Sequence, residues 1–279
     1  MSYEFRPVEV TDRHLALYVE LFRICYQRSE KYSLAYVQWQ YRDNPVGPIV
    51  GFDAWHGDQL AAHYVVLPQR YRLATGEIVR GALSLNTVTH PEHQGKGLFT
   101  RLARETFEKA AHDGFRLITG VANAASFPGF MKKLEFRHLG QIPLRVGSVR
   151  DVLRNRDRRA GMYWDAESLE WRIKDPGSTY FCTPLPKGDM GLYYRARPLP
   201  VLLGRFEDGE ASGLSALPIK RWPFPSLIPV FGRAPSGTMD VPRRFMPSPW
   251  HLIGRTLADG EPGDVFSDWS VLGIDMDSF

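Results

Sequence analysis

The stretch VTHPEHQGKGLFTRLARETFEKAAHDG, residues 88–114, decides how the rest of this sequence is interpreted. Gly95 and Gly97 lie in a polar turn directly after a strand-like segment. Glycine permits a positive φ angle and lets another molecule approach the backbone closely. Beyond the turn, a helical spacing of core-facing residues predicts a helix that begins at or just after Gly97. Those residues are Leu98, Leu102, Ala103, Thr106, Phe107 and Ala110.

This predicted turn has the physical features of an anion site. The first amides of a helix have no intrahelical partner, and the helix dipole adds partial positive charge at the same end. A strand, a glycine-bearing turn and a helix N-terminus together therefore form a cradle for phosphate. The alternative is a helix entry with two incidental glycines, and the glycines alone do not decide. The GxxxxGK[ST] motif is absent, and Thr100 stands where GxGxxG needs a third glycine.

The composition is that of a globular chain. Its 279 residues are 43% hydrophobic and 13% aromatic, enough for one large core or two modest ones. The first residues are too polar for a signal peptide, and no run of about 18 apolar residues occurs. We therefore expect a cytoplasmic protein with no membrane contact. Cys25 and Cys182 lie far apart without metal-ligand spacing, so we expect neither a disulfide framework nor a metal site.

The positive charge is modest but unevenly distributed. The net charge is +4 and the pI is near 9.0. No aromatic residue interleaves the arginine-rich segment 145–159 and no nucleic-acid motif accompanies it, so a solvated face is the expectation, with no nucleic-acid partner. A mild positive field also suits a phosphorylated small ligand. The arginines are Arg145, Arg150, Arg154, Arg156, Arg158 and Arg159.

Two helical segments and an antiparallel meander precede the turn. Residues 11–29 have helical periodicity after a candidate cap at Asp12, and a second helical segment should end at Asn44-Pro45. Strand-like runs flank residues 56–59 and then Gly76, which predicts consecutive hairpins. The last of these strands leads into the glycine turn.

The turn itself resembles a family motif. Its residues match the Q/R-x-x-G-x-G/A signature of the GNAT superfamily of acyl-CoA-dependent N-acyltransferases, with Phe99 departing at the last position. The resemblance implies an α+β fold with a mixed, mostly antiparallel central sheet flanked by helices. It implies that the preceding strand lines the pantetheine arm and that the turn binds the pyrophosphate of coenzyme A. The strand residues are Asn86, Thr87, Val88 and Thr89, and the turn residues are Gln94, Gly95, Lys96, Gly97, Leu98, Phe99 and Thr100.

A second segment, NAASFPGFMKKLEFR at residues 123–137, is also similar to the family. Asn123 and Phe136 match, whereas Ser126 replaces alanine and Glu135 replaces glycine. The resemblance implies that Asn123 and Phe130 border the cofactor. Many members carry, at the position of Phe130, a tyrosine whose hydroxyl protonates the leaving thiolate. A phenyl ring can neither donate nor accept that proton, so the acid is left open.

The second half repeats parts of the first. Pro45, Gly57 and Asp58 recur 131 positions later at 176, 188 and 189, and Trp39 recurs at 171. Chance matching of common turn residues is the alternative. We predict two tandem units, residues 1–147 with the acyl-CoA site and residues 148–279 as a degenerate copy that shapes the acceptor site. Prolines 223, 225 and 229 of the second unit disfavour a second phosphate-binding turn. Its aromatic residues are expected to line either a pocket or a core, and they are Trp222, Phe224, Phe231 and Trp250.

The chemistry of acyl transfer supplies the remaining expectations. An amine attacks a thioester only after it loses a proton, so a base is needed. His63 is the preferred base, with Glu77, His90, Glu92 and a water relay to bulk solvent as alternatives, and Asn86 is a polar group on the central strand. We expect an N-acetyltransferase that uses acetyl-CoA and a small-molecule primary amine, an amino sugar being one candidate. The alternative is a non-catalytic acyl-CoA sensor or scaffold. The sequence leaves open the amine, the acyl length and the oligomeric state.

Overall fold

The computed structural model describes residues 2–26, 30–196, 199–220, 225–233, 235–245, 249–257 and 264–276. The helices are α1 (Asp12–Cys25), α2 (Leu34–Tyr41), α3 (Leu98–His112), α4 (Phe127–Lys133) and α5 (Ala166–Ile173). The strands are β1 (Glu4–Pro7), β2 (Val50–His56), β3 (Gln59–Arg72), β4 (Ile78–Thr89), β5 (Leu117–Ala122), β6 (Arg137–Ile142), β7 (Leu144–Gly147), β8 (Gly161–Met162), β9 (Tyr180–Pro184), β10 (Met190–Tyr194), β11 (Val201–Phe206), β12 (Ser226–Phe231), β13 (Met239–Asp240), β14 (Trp250–Thr256) and β15 (Val271–Leu272).

The strands form two mixed, mostly antiparallel sheets. The first has the order β1-β2-β3-β4-β5-β14-β6, with β8 paired to β3. The second has the order β13-β7-β12-β11-β10-β9, with β15 paired to β12. Neighbours run antiparallel except β4 with β5 and β11 with β12, which run parallel. The predicted α+β architecture is therefore confirmed.

The two sheets exchange strands. β7 follows β6 in the chain but lies in the second sheet between β12 and β13, and β14 lies in the first sheet between β5 and β6. The expected boundary at residue 147 thus coincides with the end of a strand of the second sheet, and the first sheet includes a strand from beyond it. Backbone hydrogen bonds consequently join the two halves of the chain in both sheets.

The local elements of the first half follow the sequence closely. Helix α3 begins at Leu98, as predicted, and the predicted hairpins are β2–β3 and β3–β4. The cap of α1 is Thr11 rather than Asp12, because the Thr11 hydroxyl accepts from the His14 amide. Asp12 occupies the first turn, where a carboxylate favours the helix dipole.

A reciprocal tryptophan contact joins α2 to α5. Trp39 Nε1 donates to the Trp171 carbonyl at 2.8 Å, and Trp171 Nε1 donates to the Trp39 carbonyl at 3.0 Å. The rings stack with centroids 4.6 Å apart and planes 14° apart. A contact in which each partner makes the same bond to the other has local two-fold symmetry. The two residues that repeat in the sequence therefore face each other in the fold.

Most arginines of the arginine-rich segment form ion pairs with carboxylates of the same chain. Arg158 and Asp275, each with a side chain 3% exposed, lie 2.9 Å apart. Arg154 contacts Asp189 at 2.9 Å. Further pairs are Arg156 with Glu210, Arg159 with Asp268, and Arg145 with Asp240. Arg154 and Arg158 therefore make partly or fully buried ion pairs within the second half. Arg156 and Arg159 keep 59% and 78% of their side chains exposed, as expected of a solvated face.

Candidate functional site

A cleft opens where β4 and β5 separate. The parallel register runs through Ala82↔Ile118 and Leu83↔Thr119 and ends at Ser84↔Gly120. β4 continues to Thr89, so backbone groups beyond Ser84 on the β5 side remain available to a ligand. The cleft has a volume of about 190 Å³. Its lining residues are Tyr26, Lys31, Tyr32, Leu83, Ser84, Leu85, Asn86 and Val121.

A β-bulge in the pairing of β3 with β4 lies at Asn86, which lines the cleft. Leu85 pairs with Val65 and Val88 pairs with His63, so two residues of β4 lie opposite one residue of β3. Asn86 has a φ angle of 47°, in the left-handed region. Asparagine tolerates this region better than most non-glycine residues, which explains its place in the bulge. The bulge bends β4 next to the cleft.

The Asn86 side chain is held from behind. Its Nδ2 donates to Gln40 Oε1 at 2.8 Å and to the Tyr41 hydroxyl at 3.1 Å. Both amide hydrogens are thereby used, and Oδ1 makes no hydrogen bond with the described residues. Because Asn86 lines the cleft and is only 8% exposed, Oδ1 is an acceptor with a fixed position there.

His63 belongs to a buried chain of hydrogen bonds behind Asn86. Its Nε2 lies 2.9 Å from the Tyr41 hydroxyl and its Nδ1 lies 2.6 Å from Asp53 Oδ1. Tyr18 donates to the other Asp53 oxygen at 2.9 Å. Since the carboxylate only accepts, the network assigns the imidazole proton to Nδ1, and Nε2 accepts from Tyr41. Burial raises the pKa of Tyr41 well above its ordinary value, so this hydroxyl remains a donor.

The structure places His63 out of reach of a substrate. Its side chain is 0% exposed and does not line the cleft. A general base must lie within hydrogen-bond reach of the proton it removes, directly or through one water. His63 instead supports Tyr41, which supports Asn86. Among the alternatives, Glu77 pairs with Arg116 at 2.6 Å, and His90 and Glu92 lie in the turn before α3, away from the described cleft lining.

The glycine turn is open to a ligand. Gly95 and Gly97 have φ angles of 74° and 75°, and a Cβ at either would meet no atom within 4 Å. Backbone conformation rather than crowding therefore requires these glycines. Helix α3 has no side-chain cap among the described residues, and Arg101 N bonds to the Gly97 carbonyl at 3.3 Å. The amides of residues 98–100 precede that bond and suit a pyrophosphate.

The turn is braced by contacts with the preceding residues. Gln94 Nε2 donates to the Thr89 carbonyl at 3.3 Å, and Lys96 Nζ donates to the Glu92 carbonyl at 2.9 Å. Thr87 and Thr89 are half-buried, while Val88 points into the core. The residues predicted to hold pantetheine and pyrophosphate thus lie consecutively along β4 and the turn that follows it.

The second family-like segment supports this region. Phe130 is 5% exposed and packs against Phe99 and Phe136, with ring centroids 5.4 Å and 5.0 Å away. Asn123 is exposed, and its Oδ1 accepts from the amides of residues 125 and 126 at the start of α4. Glu135, which replaces the glycine of the family pattern, has a φ angle of 55°. The left-handed backbone is kept although the glycine is not.

A histidine cluster lies just before the glycine turn. Donor atoms of His90, Glu92 and His93 lie within 4.8 Å of one another. His93 Nδ1, however, lies 2.8 Å from the Tyr3 hydroxyl and Nε2 lies 3.0 Å from Gln59 Oε1. Both ring nitrogens already have partners, so hydrogen bonds alone account for the arrangement.

Among the described residues, none from the second half lines the cleft. All the lining residues come from residues 26–121 of the described chain. Phe231 and Trp250, expected in a pocket or a core, lie in β12 and β14 and pack against the core. Trp222 and Phe224 lie outside the described residues. Phe231 and Trp250 therefore do not shape the acceptor site by lining the cleft, as had been one expectation for this half.

None of the helices among the described residues has the length and apolar character needed to cross a membrane.

Comparison with known proteins identifies the fold and the domain. A conserved protein from Enterococcus faecalis V583, described as a probable N-acyltransferase, superposes with a TM-score of 0.60 at 10% identity, covering 92% of this chain and 73% of that chain. GCN5-related N-acetyltransferases from Anabaena variabilis (TM-score 0.59, 10% identity, 91% and 73% covered) and Kribbella flavida (0.56, 14%, 91% and 71%) are also similar. No curated protein matches the sequence.

These superpositions span both sheets, so the chain as a whole has the fold of GNAT-type acyltransferases. Residues 6–138 match the family model of the acetyltransferase (GNAT) domain. This part of the chain, which holds the split between β4 and β5 and the glycine turn, belongs to the GNAT superfamily.

Proposed function

We propose that this protein is an N-acetyltransferase that moves the acetyl group of acetyl-CoA to the primary amine of a small molecule. Amino sugars are the first class of acceptor to test. The observation that carries the proposal is the separation of parallel β4 and β5 beside the open, uncapped N-terminus of α3. The pyrophosphate would bind in the turn Gln94–Thr100, chiefly to the amides of residues 98–100, and the pantetheine arm would pair with β4 at residues 86–89.

The reaction requires few groups from the protein. The amine nitrogen attacks the thioester carbonyl, a C–N bond forms and the C–S bond breaks. The ammonium proton passes to water in the cleft, and the thiolate takes its proton from water because Phe130 has no hydroxyl. Asn86 Oδ1 accepts a hydrogen bond from the amine and orients it. His63 acts as a positioning residue, since it fixes Tyr41 and Tyr41 fixes Asn86.

The second half enters the same proposal as a degenerate copy of the first. The reciprocal contact of Trp39 with Trp171 and the exchange of β7 for β14 support it. Helix α5 followed by the β9–β10 hairpin also repeats the order of α2 followed by β2–β3. In this proposal the second half closes the site from behind rather than binding a nucleotide.

The test is acetyl transfer to a panel of amino sugars, polyamines and amino acids. Replacing Asn86 with alanine should lower kcat/KM for the amine by roughly ten- to a hundredfold, the range set by loss of one hydrogen bond to a charged or polar group. The Kd of acetyl-CoA should change much less than kcat/KM, because pantetheine pairs with the β4 backbone and not with the Asn86 side chain. Gln40→Ala, which removes a partner of Asn86, should lower kcat/KM less. Gln38→Ala on the same helix is the matched control and should have no effect.

The outcomes separate the function classes. Tight acetyl-CoA binding without turnover on any amine of the panel would favour the sensor alternative. An absence of acetyl-CoA binding by the unmodified protein would overturn the donor assignment itself. Turnover that is unaffected by Asn86→Ala would keep the enzyme and remove Asn86 from the site.

A further inference from the structure

One leucine lies between the cleft and two small cavities in the interior. Two small internal voids, of about 20 Å³ and 10 Å³, lie behind the cleft. Leu83 lines the cleft and both voids, and Val121 lines the cleft and the smaller void. Leu83 is itself 7% exposed. Its side chain is thus the partition between a ligand-accessible space and the molecular interior.

The second half of the chain supplies much of the far wall of the smaller void. Most of the groups lining this void are apolar side chains, including Met162, Leu252, Trp269 and Val271 from beyond residue 147. The polar groups at the back have partners: Asp275 lies 2.9 Å from Arg158, and the Tyr71 hydroxyl lies 2.8 Å from Thr119 Oγ1. A hydrocarbon chain entering this region would therefore contact apolar groups without stripping hydrogen bonds.

The position of Leu83 relates this partition to the acyl group of the donor. Leu83 directly precedes Ser84, the last residue of β4 that pairs with β5. If pantetheine runs along residues 86–89, its thioester reaches the point where the strands join. The acyl carbons beyond the thioester would then meet the side chains of Leu83 and Val121.

We propose that Leu83 is the specificity-determining residue that ends the acyl site and restricts the donor to short acyl groups. This inference rests on the proposed function. The second half contributes by closing the space behind Leu83. Truncation of this leucine joins the cleft to the smaller void and admits a longer saturated acyl chain. Val121 forms the side of the same wall.

The structure offers a matched control. Leu67 lies directly opposite Leu83 in the β3–β4 register, so both side chains lie on the same face of the sheet. It is 3% exposed and lines the larger void but not the cleft. Leu67→Ala removes the same atoms as Leu83→Ala and leaves the partition intact.

The experiment measures the Kd of acetyl-, butyryl- and hexanoyl-CoA by calorimetry, with free coenzyme A as the reference probe. The unmodified protein should bind hexanoyl-CoA at least about tenfold more weakly than acetyl-CoA, since a methylene in an apolar pocket is worth that order of discrimination. Leu83→Ala should bind hexanoyl-CoA more tightly than acetyl-CoA, which reverses the order of affinities. Leu67→Ala should keep the order of the unmodified protein. Val121→Ala, a smaller truncation, should shift it partway and serves if Leu83→Ala does not fold.

Two results would overturn the inference: equal binding of hexanoyl- and acetyl-CoA by the unmodified protein, or an unchanged order in both Leu83→Ala and Val121→Ala. Reversal in Leu67→Ala as well would also overturn it, because loosening of the core would then be the cause. Failure of the proposed function has a different signature. In that case neither free coenzyme A nor any acyl-CoA binds the unmodified protein.

Discussion

In the described part of the chain, each sheet contains one pair of parallel strands, and the two pairs differ in the connection that joins them. β4 and β5 are joined through the glycine turn and the 15-residue helix α3. Between β11 and β12, the described residues 207–220 and 225 contain a 3₁₀ segment, Ala211–Ala216, and no α-helix. Free amides backed by a helix dipole therefore exist at only one of the two strand pairs in the described chain. The proposed anion site therefore lies in the connection between the parallel strands and not in the sheet itself.

The same comparison applies to the hairpins that precede these strands. Asp58, in the β2–β3 turn, is exposed. Asp189, its counterpart in the sequence repeat, is 3% exposed and accepts from Arg154 and Arg205, both at 2.9 Å. A buried carboxylate must be paired to stay charged. At this position the first half has a solvated turn, and the second half has a structural ion-pair cluster.

The largest expected effect comes from a substitution in the glycine turn, which should remove the feature that distinguishes the β4–β5 connection from the β11–β12 connection. Gly97→Val places a β-branched residue at a φ angle of 75° and so distorts the turn. Acetyl-CoA at about a hundred times its Kd should raise the apparent stability of the unmodified protein by roughly 2.7 kcal/mol. The variant should lose this shift, as measured by thermal unfolding with and without acetyl-CoA.

Gly57→Val is the control for that measurement. Gly57 has a φ angle of 61° and lies in the β2–β3 turn, where, as at Gly97, a Cβ would meet no atom within 4 Å. The substitution should cost similar backbone strain and keep the acetyl-CoA shift. A shift that survives Gly97→Val, or one lost in Gly57→Val, would contradict the assignment of the turn.

Local features of the first half could be predicted from the sequence. The start of α3 and the β2–β3 hairpin follow from periodicity and from glycines that require a positive φ angle. These predictions of local structure succeeded because each depends on residues that are neighbours in the chain. The anion cradle was inferred from the same signals and stays a prediction.

Non-local features could not be predicted in this way. β1 was not expected, and the exchange of β7 for β14 leaves no local period because both strands read as ordinary short apolar runs. His63 was expected to act as a base, yet its imidazole is fully buried and bonded to Tyr41, 22 positions away in the sequence. Tyr41 and Gln40 look like ordinary helical residues until the fold brings them to Asn86. The tandem repeat itself stays a prediction.

A smaller effect tests whether Trp39 and Trp171, one from each half, are energetically equivalent. Trp39→Phe and Trp171→Phe each remove one indole donor and the buried hydrogen bond that it makes to the carbonyl of the other residue, at a cost of about 1 to 3 kcal/mol. Because the contact is reciprocal, the two costs should agree within about 0.5 kcal/mol, and the double variant should cost less than their sum. Urea unfolding of the four proteins measures this. Strictly additive or clearly unequal costs would contradict the equivalence of the two residues.

The smallest expected effect concerns pH and tests the first half alone. Burial, with contributions from the charges of Lys96, His56 and His90, lowers the pKa of His93 below its usual value of 6.5. The unfolded chain therefore takes up this proton at a higher pH than the native protein does. The contribution of neutral His93 to the free energy of unfolding should be fully present above pH 6.5. It should be lost progressively as the pH is lowered from there toward the depressed native pKa.

The measurement is urea unfolding of three proteins at pH 7.5 and at pH 5.5, where the second-half arginine pairs stay charged. Protonation of Nδ1 would oppose the bond from the Tyr3 hydroxyl and loosen the turn that precedes α3. His93→Gln should lose part of the stability difference between the two pH values. His112→Gln, at a side chain 90% exposed, should keep all of it. An equal pH dependence in all three proteins would show that His93 does not couple the turn to protonation.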